Sequence, residues 1–407
     1  MSLREIKVGT FTVSERAREL VNEVLDSGRI SYGPLSQEFE QRMAMLHGNK
    51  YGVLSNSGTS SLQVALQAMK ELHGWEDGDE VIVPATTFVA TVNIVLHNRM
   101  TSVLVDIEPD TYNINPAMVE AAITDRTRAV IAVHLFGQQA NMKELRKVLD
   151  GKPIKLIADS AECMFATHHT QPVGYWADIS CFSTYTAHLV TTGVGGLSIT
   201  NHPDYAAKMR SLVNHGRDGV YISIDDSDSK DREVTERRFK FDSIGHSFRI
   251  TELEAALGLA QTEHGVWQAM IAKRQHNASV LTSALYPVRD RLAIPKVGAG
   301  NSHVWMMYPI VLKDGGEQAP LDDIRQKANK WPLVHFLEER GIETREMLPL
   351  LSQPIYQRLW GKSVLVPNST PVSEWVLRGG FYVASHQGLD ASDMQYIADA
   401  IISYWAK

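Results

Sequence analysis

One histidine stands in a run of small and hydroxylated residues, Ser183-Thr-Tyr-Thr-Ala-His188-Leu-Val-Thr-Thr-Gly193-Val-Gly-Gly196. Imidazole takes and gives protons near neutral pH, so this loop could carry acid/base chemistry. No lysine occurs between Lys155 and Lys208, so no amine nucleophile lies close to it in the chain. A second segment, Ser57-Gly58-Thr59-Ser60, follows an apolar run and opens a helical one. Glycine lets backbone approach closely there, and the N–H groups at a helix start favour a phosphate. A third, Leu156-Ile-Ala-Asp159-Ser-Ala-Glu162, sets two carboxylates at and just beyond the end of another apolar run. Phe88, within Pro84-Ala-Thr-Thr-Phe-Val-Ala90, follows a further one.

The elements that must position these groups alternate. Short β-rich runs at Tyr51–Leu54, Glu80–Val83, Ser102–Asp106, Ala129–His134, Lys155–Asp159, Ser180–Ser183 and Gly196–Thr200 are separated by helical spacing, as in Ser60–Leu72 and Asn141–Leu149. Nearly continuous apolar strands with helices between them imply an α/β fold, a mostly parallel sheet covered on both faces. Sites in such sheets gather beyond the carboxyl ends of the strands, and Ser57–Ser60, Phe88, Asp159 and Ser183–His188 all fall there. A charge-rich stretch, 221–240, reads as a solvated loop, with a lid as the second reading. A long helical pattern from Thr251 to Ala278 leads to strand candidates at Val304–Leu312 and Glu343–Met347 and a final helix from Ala391 to Trp405.

At 407 residues the chain can bury a large core and divide in two. A net charge of −7 argues against a general nucleic-acid or anionic-membrane surface, and no apolar run is long enough to span a bilayer. Two cysteines, Cys163 and Cys181, rule out a disulfide framework and a four-cysteine iron–sulfur cluster, and fit a cytoplasmic location.

The His188 segment resembles the cofactor-lysine segment of the DegT/DnrJ/EryC1/StrS sugar aminotransferases. There a serine is followed five residues later by lysine and then by a Thr-Gly-x-Gly-Gly run. The resemblance extends from Gly33-Pro-Leu-Ser-Gln-Glu-Phe39-Glu to Tyr382-Val-Ala-Ser-His386-Gln-Gly. It implies the fold type I architecture of aminotransferases dependent on pyridoxal 5′-phosphate (PLP). A large cofactor-binding domain with an N-terminal segment would cover 1–265, and a smaller C-terminal α/β domain 266–407. Gly58, Thr59, Ser60 and Ser183 would hold the cofactor phosphate, Phe88 would stack on the pyridine ring, and Asp159 would pair with its nitrogen. His215, in Asn214-His215-Gly216-Arg217, would touch substrate. Ser247 replaces the asparagine of a Gly-x-Asn-x-Arg pattern that reaches the phosphate held by the neighbouring subunit. No metal is implied.

Two departures shape the expected chemistry. His188 occupies the position of the lysine, and Glu162 that of a glutamine common in the aminotransferases. Both residues resemble the family's His-containing branch, the GDP-4-keto-6-deoxy-D-mannose 3-dehydratase-like enzymes. The resemblance therefore implies dehydration of a nucleotide-linked 4-keto-6-deoxy sugar. His188 would be the acid/base group, Glu162 would lie near the cofactor's 3-hydroxyl or the base, and L-glutamate would regenerate pyridoxamine 5′-phosphate (PMP). It also implies a homodimer with shared active sites. Two alternatives stay open: a nucleotide-sugar aminotransferase that uses histidine, and a PLP-fold protein that binds without turnover.

Overall fold

The computed structural model describes residues 4–217, 239–313, 329–348 and 350–406, so most of the charge-rich stretch 221–240, read as a solvated loop or a lid, lies outside the described residues. In chain order the strands are β1 (Tyr51–Ser55), β2 (Glu80–Pro84), β3 (Thr101–Val105), β4 (Thr127–Val133) and β5 (Lys155–Asp159). A small hairpin follows, β6 (Thr167–His168) and β7 (Gln171–Pro172), then β8 (Ile179–Ser183) and β9 (Gly196–Thr200). The last are β10 (Leu292–Ala293), β11 (Tyr308–Leu312), β12 (Arg345–Glu346), β13 (Val364–Leu365) and β14 (Gly380–Val383).

The main sheet runs β1-β9-β8-β5-β4-β2-β3-β13. All its pairings from β8 through β13 are parallel, while β9 is antiparallel to both β8 and β1. One inserted antiparallel strand between two others leaves β1 pointing the same way as β8. The carboxyl ends of β1, β2, β4, β5 and β8 therefore open on one edge. The apolar runs behave as strands buried on both faces do: Val81, Ile82 and Val83 are fully buried, and β8 and β9 are buried throughout. Helices Gly58–His73, Val89–His97, Met142–Val148 and Pro203–Val213 supply the covering layers. The smaller sheet is antiparallel, β10-β11-β14-β12.

Three sequence expectations differ in detail. The helix expected from Thr251 to Ala278 is two, Glu252–Gln261 and Val266–Ala284, interrupted at Gly265 with φ 90°. The strand expected at Val304–Leu312 begins only at Tyr308. Upstream of it the Trp305 and Met306 carbonyls accept from Arg274 Nη1 at 3.2 and 2.9 Å, and Trp305 takes φ 48°, so that backbone is diverted from the ladder. The strand at Glu343–Met347 shortens to Arg345–Glu346, while the last helix spans Ala391–Trp405 as expected.

The N-terminal residues lie as a strap across both sheets' junction. Ile6 bridges to Ile342, Val8 N–H donates to Glu343 Oε2 at 2.7 Å, and the Lys7 carbonyl meets His386 Nε2 at 2.9 Å. The adjoining helix Pro34–Leu46 has no side-chain cap of its own at Gly33. Glu252, 3% exposed, supplies one from afar: its carboxylate accepts from the N–H groups of Gly33, Leu35 and Ser36 at 2.8, 2.9 and 2.8 Å. A charged acceptor on three first-turn donors satisfies groups that a helix start leaves unpaired and suits the positive end of its dipole. Glu252→Ala should cost about 3 kcal/mol, read as a lower urea midpoint at unchanged slope, because it strands those donors in a buried setting.

Candidate active site

A cavity of about 740 Å³ opens at the carboxyl edge of the main sheet. Ser57, Gly58 and Thr59 reach it from the end of β1, and Thr87 and Phe88 from the end of β2. Asp159, Ala161 and Glu162 come from the end of β5, and Ser183 with Tyr185–His188 from the end of β8. The strap residues Val8–Phe11, with Met306, Arg345 and Tyr382 from the smaller sheet's side, line it as well.

The phosphate-loop candidate is built by close approach. Ser57 sits in extended backbone and its hydroxyl accepts from Ser60 N–H at 3.0 Å, which caps the helix Gly58–His73. A Cβ on Gly58 would lie 2.7 Å from Ser183 Cβ, and one on Gly196 would lie 2.2 Å from the Ser57 carbonyl oxygen. Only glycine at both positions lets the loop after β1, the end of β8 and the start of β9 touch. Ser60 stands just beneath, buried, its hydroxyl donating to Asn56 Oδ1 at 2.6 Å, and it does not line the cavity.

Asp159 is buried and held on both oxygens. Thr91 Oγ1 donates to Oδ2 at 2.8 Å, Ala161 N–H reaches Oδ1 at 3.3 Å, and Thr87 Oγ1 lies 2.9 Å from Thr91 Oγ1. Burial pushes its carboxyl above the usual range, with Thr91 and Ala161 pulling the other way. Glu162 accepts from Phe136 N–H at 2.7 Å. Burial lifts its carboxyl to about 7, against the Phe136 N–H and with the nearby Asp159 charge adding to the rise. His188 moves oppositely: burial lowers its imidazolium pKa to about 4, the Ala161 backbone partly opposes this, and the Arg274 charge adds to it. Its Nδ1 is buried with no hydrogen-bond partner among the described residues. Around neutrality the cavity thus carries a neutral imidazole and a carboxyl divided between its two protonation states.

These groups fit PLP. An acceptor carboxylate for a protonated ring nitrogen, a cradle of hydroxyls and N–H groups for a phosphate, and Phe88 with 58% of its surface exposed all open on the same cavity. No lysine is among the described residues that line it.

His215, expected against substrate, and Ser247, expected to reach the neighbouring subunit's phosphate, lie outside this chain's cavity. His215, at φ 65°, and Ser247 are exposed and meet through Arg249, whose Nη2 lies 3.1 Å from His215 Nε2 and donates to Ser247 Oγ at 2.8 Å. Thr91, in the first turn of the helix after β2, and the strap, Arg345 and Tyr382 also belong to the site, and no local sequence pattern connects them to the loop.

A family model, the DegT/DnrJ/EryC1/StrS aminotransferase family, matches residues 12–402. The GDP-perosamine synthase of Caulobacter vibrioides is 32% identical over 401 residues, covering 98% of either chain. Among solved structures, the Escherichia coli GDP-4-keto-6-deoxy-D-mannose-3-dehydratase with bound hydrated PLP superposes with a TM-score of 0.86 at 23% identity, over 98% of this chain and 100% of that one. A histidine-to-asparagine variant of a GDP-4-keto-6-deoxymannose-3-dehydratase, carrying GDP-perosamine, matches to the same degree: TM-score 0.86, 23% identity, 98% and 100% coverage. At that identity the structural likeness establishes the fold.

Two tests follow from the geometry. Gly58→Ala should weaken PLP binding by about tenfold or more in an absorbance titration, since the added methyl forces the loop off Ser183. Difference infrared spectra should show a protonated carboxyl lost across pH 7 in the parent protein and missing in Glu162→Gln; a Glu162 that ionises in the ordinary carboxylate range would show no change there.

Proposed function

This chain belongs to the DegT/DnrJ/EryC1/StrS aminotransferase family, which is PLP-dependent, and from that premise we propose that it removes the C3 hydroxyl of a nucleotide-linked 4-keto-6-deoxy sugar. L-Glutamate is the amino donor in this reading, and the product is a 4-keto-3,6-dideoxy sugar with ammonia released.

The observation that carries the reading is His188 in a cavity whose described lining holds no lysine. When bound, PLP supplies an electron sink and PMP an amino group that engages the sugar's keto carbon. The chain's residues do the rest. Asp159 would hold a proton at the ring nitrogen, Ser57–Thr59 and Ser183 would hold the phosphate, and Phe88 would lie against the ring. His188, neutral through most of the working pH range because its surroundings desolvate it, takes a proton from carbon and returns one to the departing C3 hydroxyl, which leaves as water. Lysine can also displace a finished amine from PLP by bonding to it covalently, and imidazole cannot. An amine retained on the sugar is then not the favoured outcome; the released enamine tautomerises and hydrolyses to ketone and ammonia.

The identity to GDP-perosamine synthase favours a second reading, amine transfer to C4 with histidine as the base. The exposed His215–Ser247–Arg249 cluster, backed by buried Asn214 and outside this chain's cavity, supports a homodimer in which that cluster serves the neighbouring subunit's site. Among the described residues no helix is long and apolar enough to cross a membrane, in keeping with a cytoplasmic enzyme.

Single-turnover mass spectrometry with PLP, L-glutamate and GDP-4-keto-6-deoxy-D-mannose separates the readings. A deoxygenated keto sugar with free ammonia is expected, and an amino sugar would replace dehydration with transfer. His188→Asn should keep PLP and slow PMP formation from glutamate by about 100-fold or more. A near-parental rate would remove His188 from the mechanism. His188→Lys should acquire a borohydride-stable PLP adduct, detected as added protein mass.

A further inference from the structure

Arg345 is the one arginine or lysine among the described residues that line the cavity, set against the carboxylates of Asp159, Glu162 and Glu343. It lies on β12 directly opposite Tyr382 of β14. Residues paired in this way project from the same face of a sheet with Cβ atoms about 5 Å apart. Both line the cavity.

Arg345 is oriented but not consumed. Its Nη2 is paired with Glu343 and its Nη1 donates to the Thr344 carbonyl at 2.8 Å. A guanidinium carries five N–H donors, so most of the fork remains for a ligand, and 52% of the side chain is exposed. Burial, with Glu162 adding to it and Arg345 opposing, raises the Tyr382 phenol, which therefore stays protonated and able to donate. The wall beside this pair is apolar: Leu348 follows Arg345 by three residues, and Met307 precedes Tyr308, which pairs with Val383.

We propose that Arg345 and Tyr382 form a receiving site for a carboxylate of the amino donor, a short dicarboxylic amino acid whose methylenes lie against Leu348 and Met307. The planar fork of arginine matches a carboxylate in two parallel hydrogen bonds, and the phenol adds a third donor. A phosphate is the competing anion, yet the cavity already has a separate N–H and hydroxyl cradle at Ser57–Thr59 and Ser183. Glu343 has two roles here. It holds Arg345 in place, and through Val8 N–H it ties down the strap that covers the cavity, so an incoming carboxylate competes with it for the guanidinium.

The inference rests on the reading of the cavity as an amino-donor site, and a ligand without an amine keeps the two separable. Glutarate has both carboxylates of glutamate and cannot react. Its affinity for the PLP-loaded protein would be measured by calorimetry, beside that of GDP. Arg345→Gln should weaken glutarate by about tenfold or more, and Tyr382→Phe by about threefold, with GDP affinity and the PLP absorbance band unchanged. Glu343→Gln should tighten glutarate, because the competing carboxylate is gone; a merely structural corner would be weakened by all three changes. The proposal is overturned if the parent protein does not bind glutarate, if Arg345→Gln binds it as the parent does, or if that variant loses GDP instead. Absence of PMP formation from glutamate despite glutarate binding would count against the proposed function and leave the carboxylate site standing.

Discussion

Removing Asp159, Glu162 and His188 from water is the constraint on which this site depends. Asp159 is buried and Glu162 and His188 are half-buried at the carboxyl edge of the main sheet, and loss of solvent alone disfavours every charged form. The two carboxyls are pushed up and the imidazole down, so their ordinary values of 4.5 for Glu162 and 6.5 for His188 cross over to about 7 and about 4. That inversion turns an acid into a group that can still hold a proton at neutrality and a weak base into one that is free of it. Pairs of titratable groups pushed apart by their surroundings are how one fold performs acid and base steps together. The dehydratase reading needs such a pair, because no lysine is at hand to combine proton transfer with covalent exchange.

The scaffold sustains this burial from two directions. Below, β5 and β8 pair in parallel with Asp159 beside Cys181, which brings the loops after both strands to one place. Above, the strap and Met306, at the end of the diverted backbone, line the cavity. That diverted backbone is held by the buried Arg274, whose Nη1 donates to two carbonyls. The same charge contributes to keeping His188 neutral. Packing, backbone geometry and acid/base chemistry are thus linked through one residue on the helix Val266–Ala284.

Much of the architecture was legible because its signals are local. Seven apolar runs became seven strands, since a strand buried on both faces has few polar positions to disguise it. Ser57 as a cap and Gly58 as the point of close approach were legible for the same reason, as was the final helix from Ala391, whose capping aspartate precedes it. Errors fell where distant groups intervene. The strand at Val304–Leu312 lost its first residues to hydrogen bonds from Arg274, thirty-one positions earlier. The long helix after Thr251 broke at Gly265, whose positive φ no periodicity reports.

By itself the sequence determined the order of elements, the parallel sheet and the identities of the loop residues, because strand burial, helix capping and glycine approach act between near neighbours. It also determined that histidine, not lysine, stands after Ser183. Only the tertiary structure decided which of those residues share a cavity. Glu252 caps a helix 216 residues away from it in sequence, at Ser36, and Arg345 faces Tyr382 across a ladder. His215 and Ser247 sit exposed together with Arg249, outside this chain's cavity. Protonation states belong to this second class too. A side chain's type sets its reference pKa, but desolvation is a property of everything packed around it.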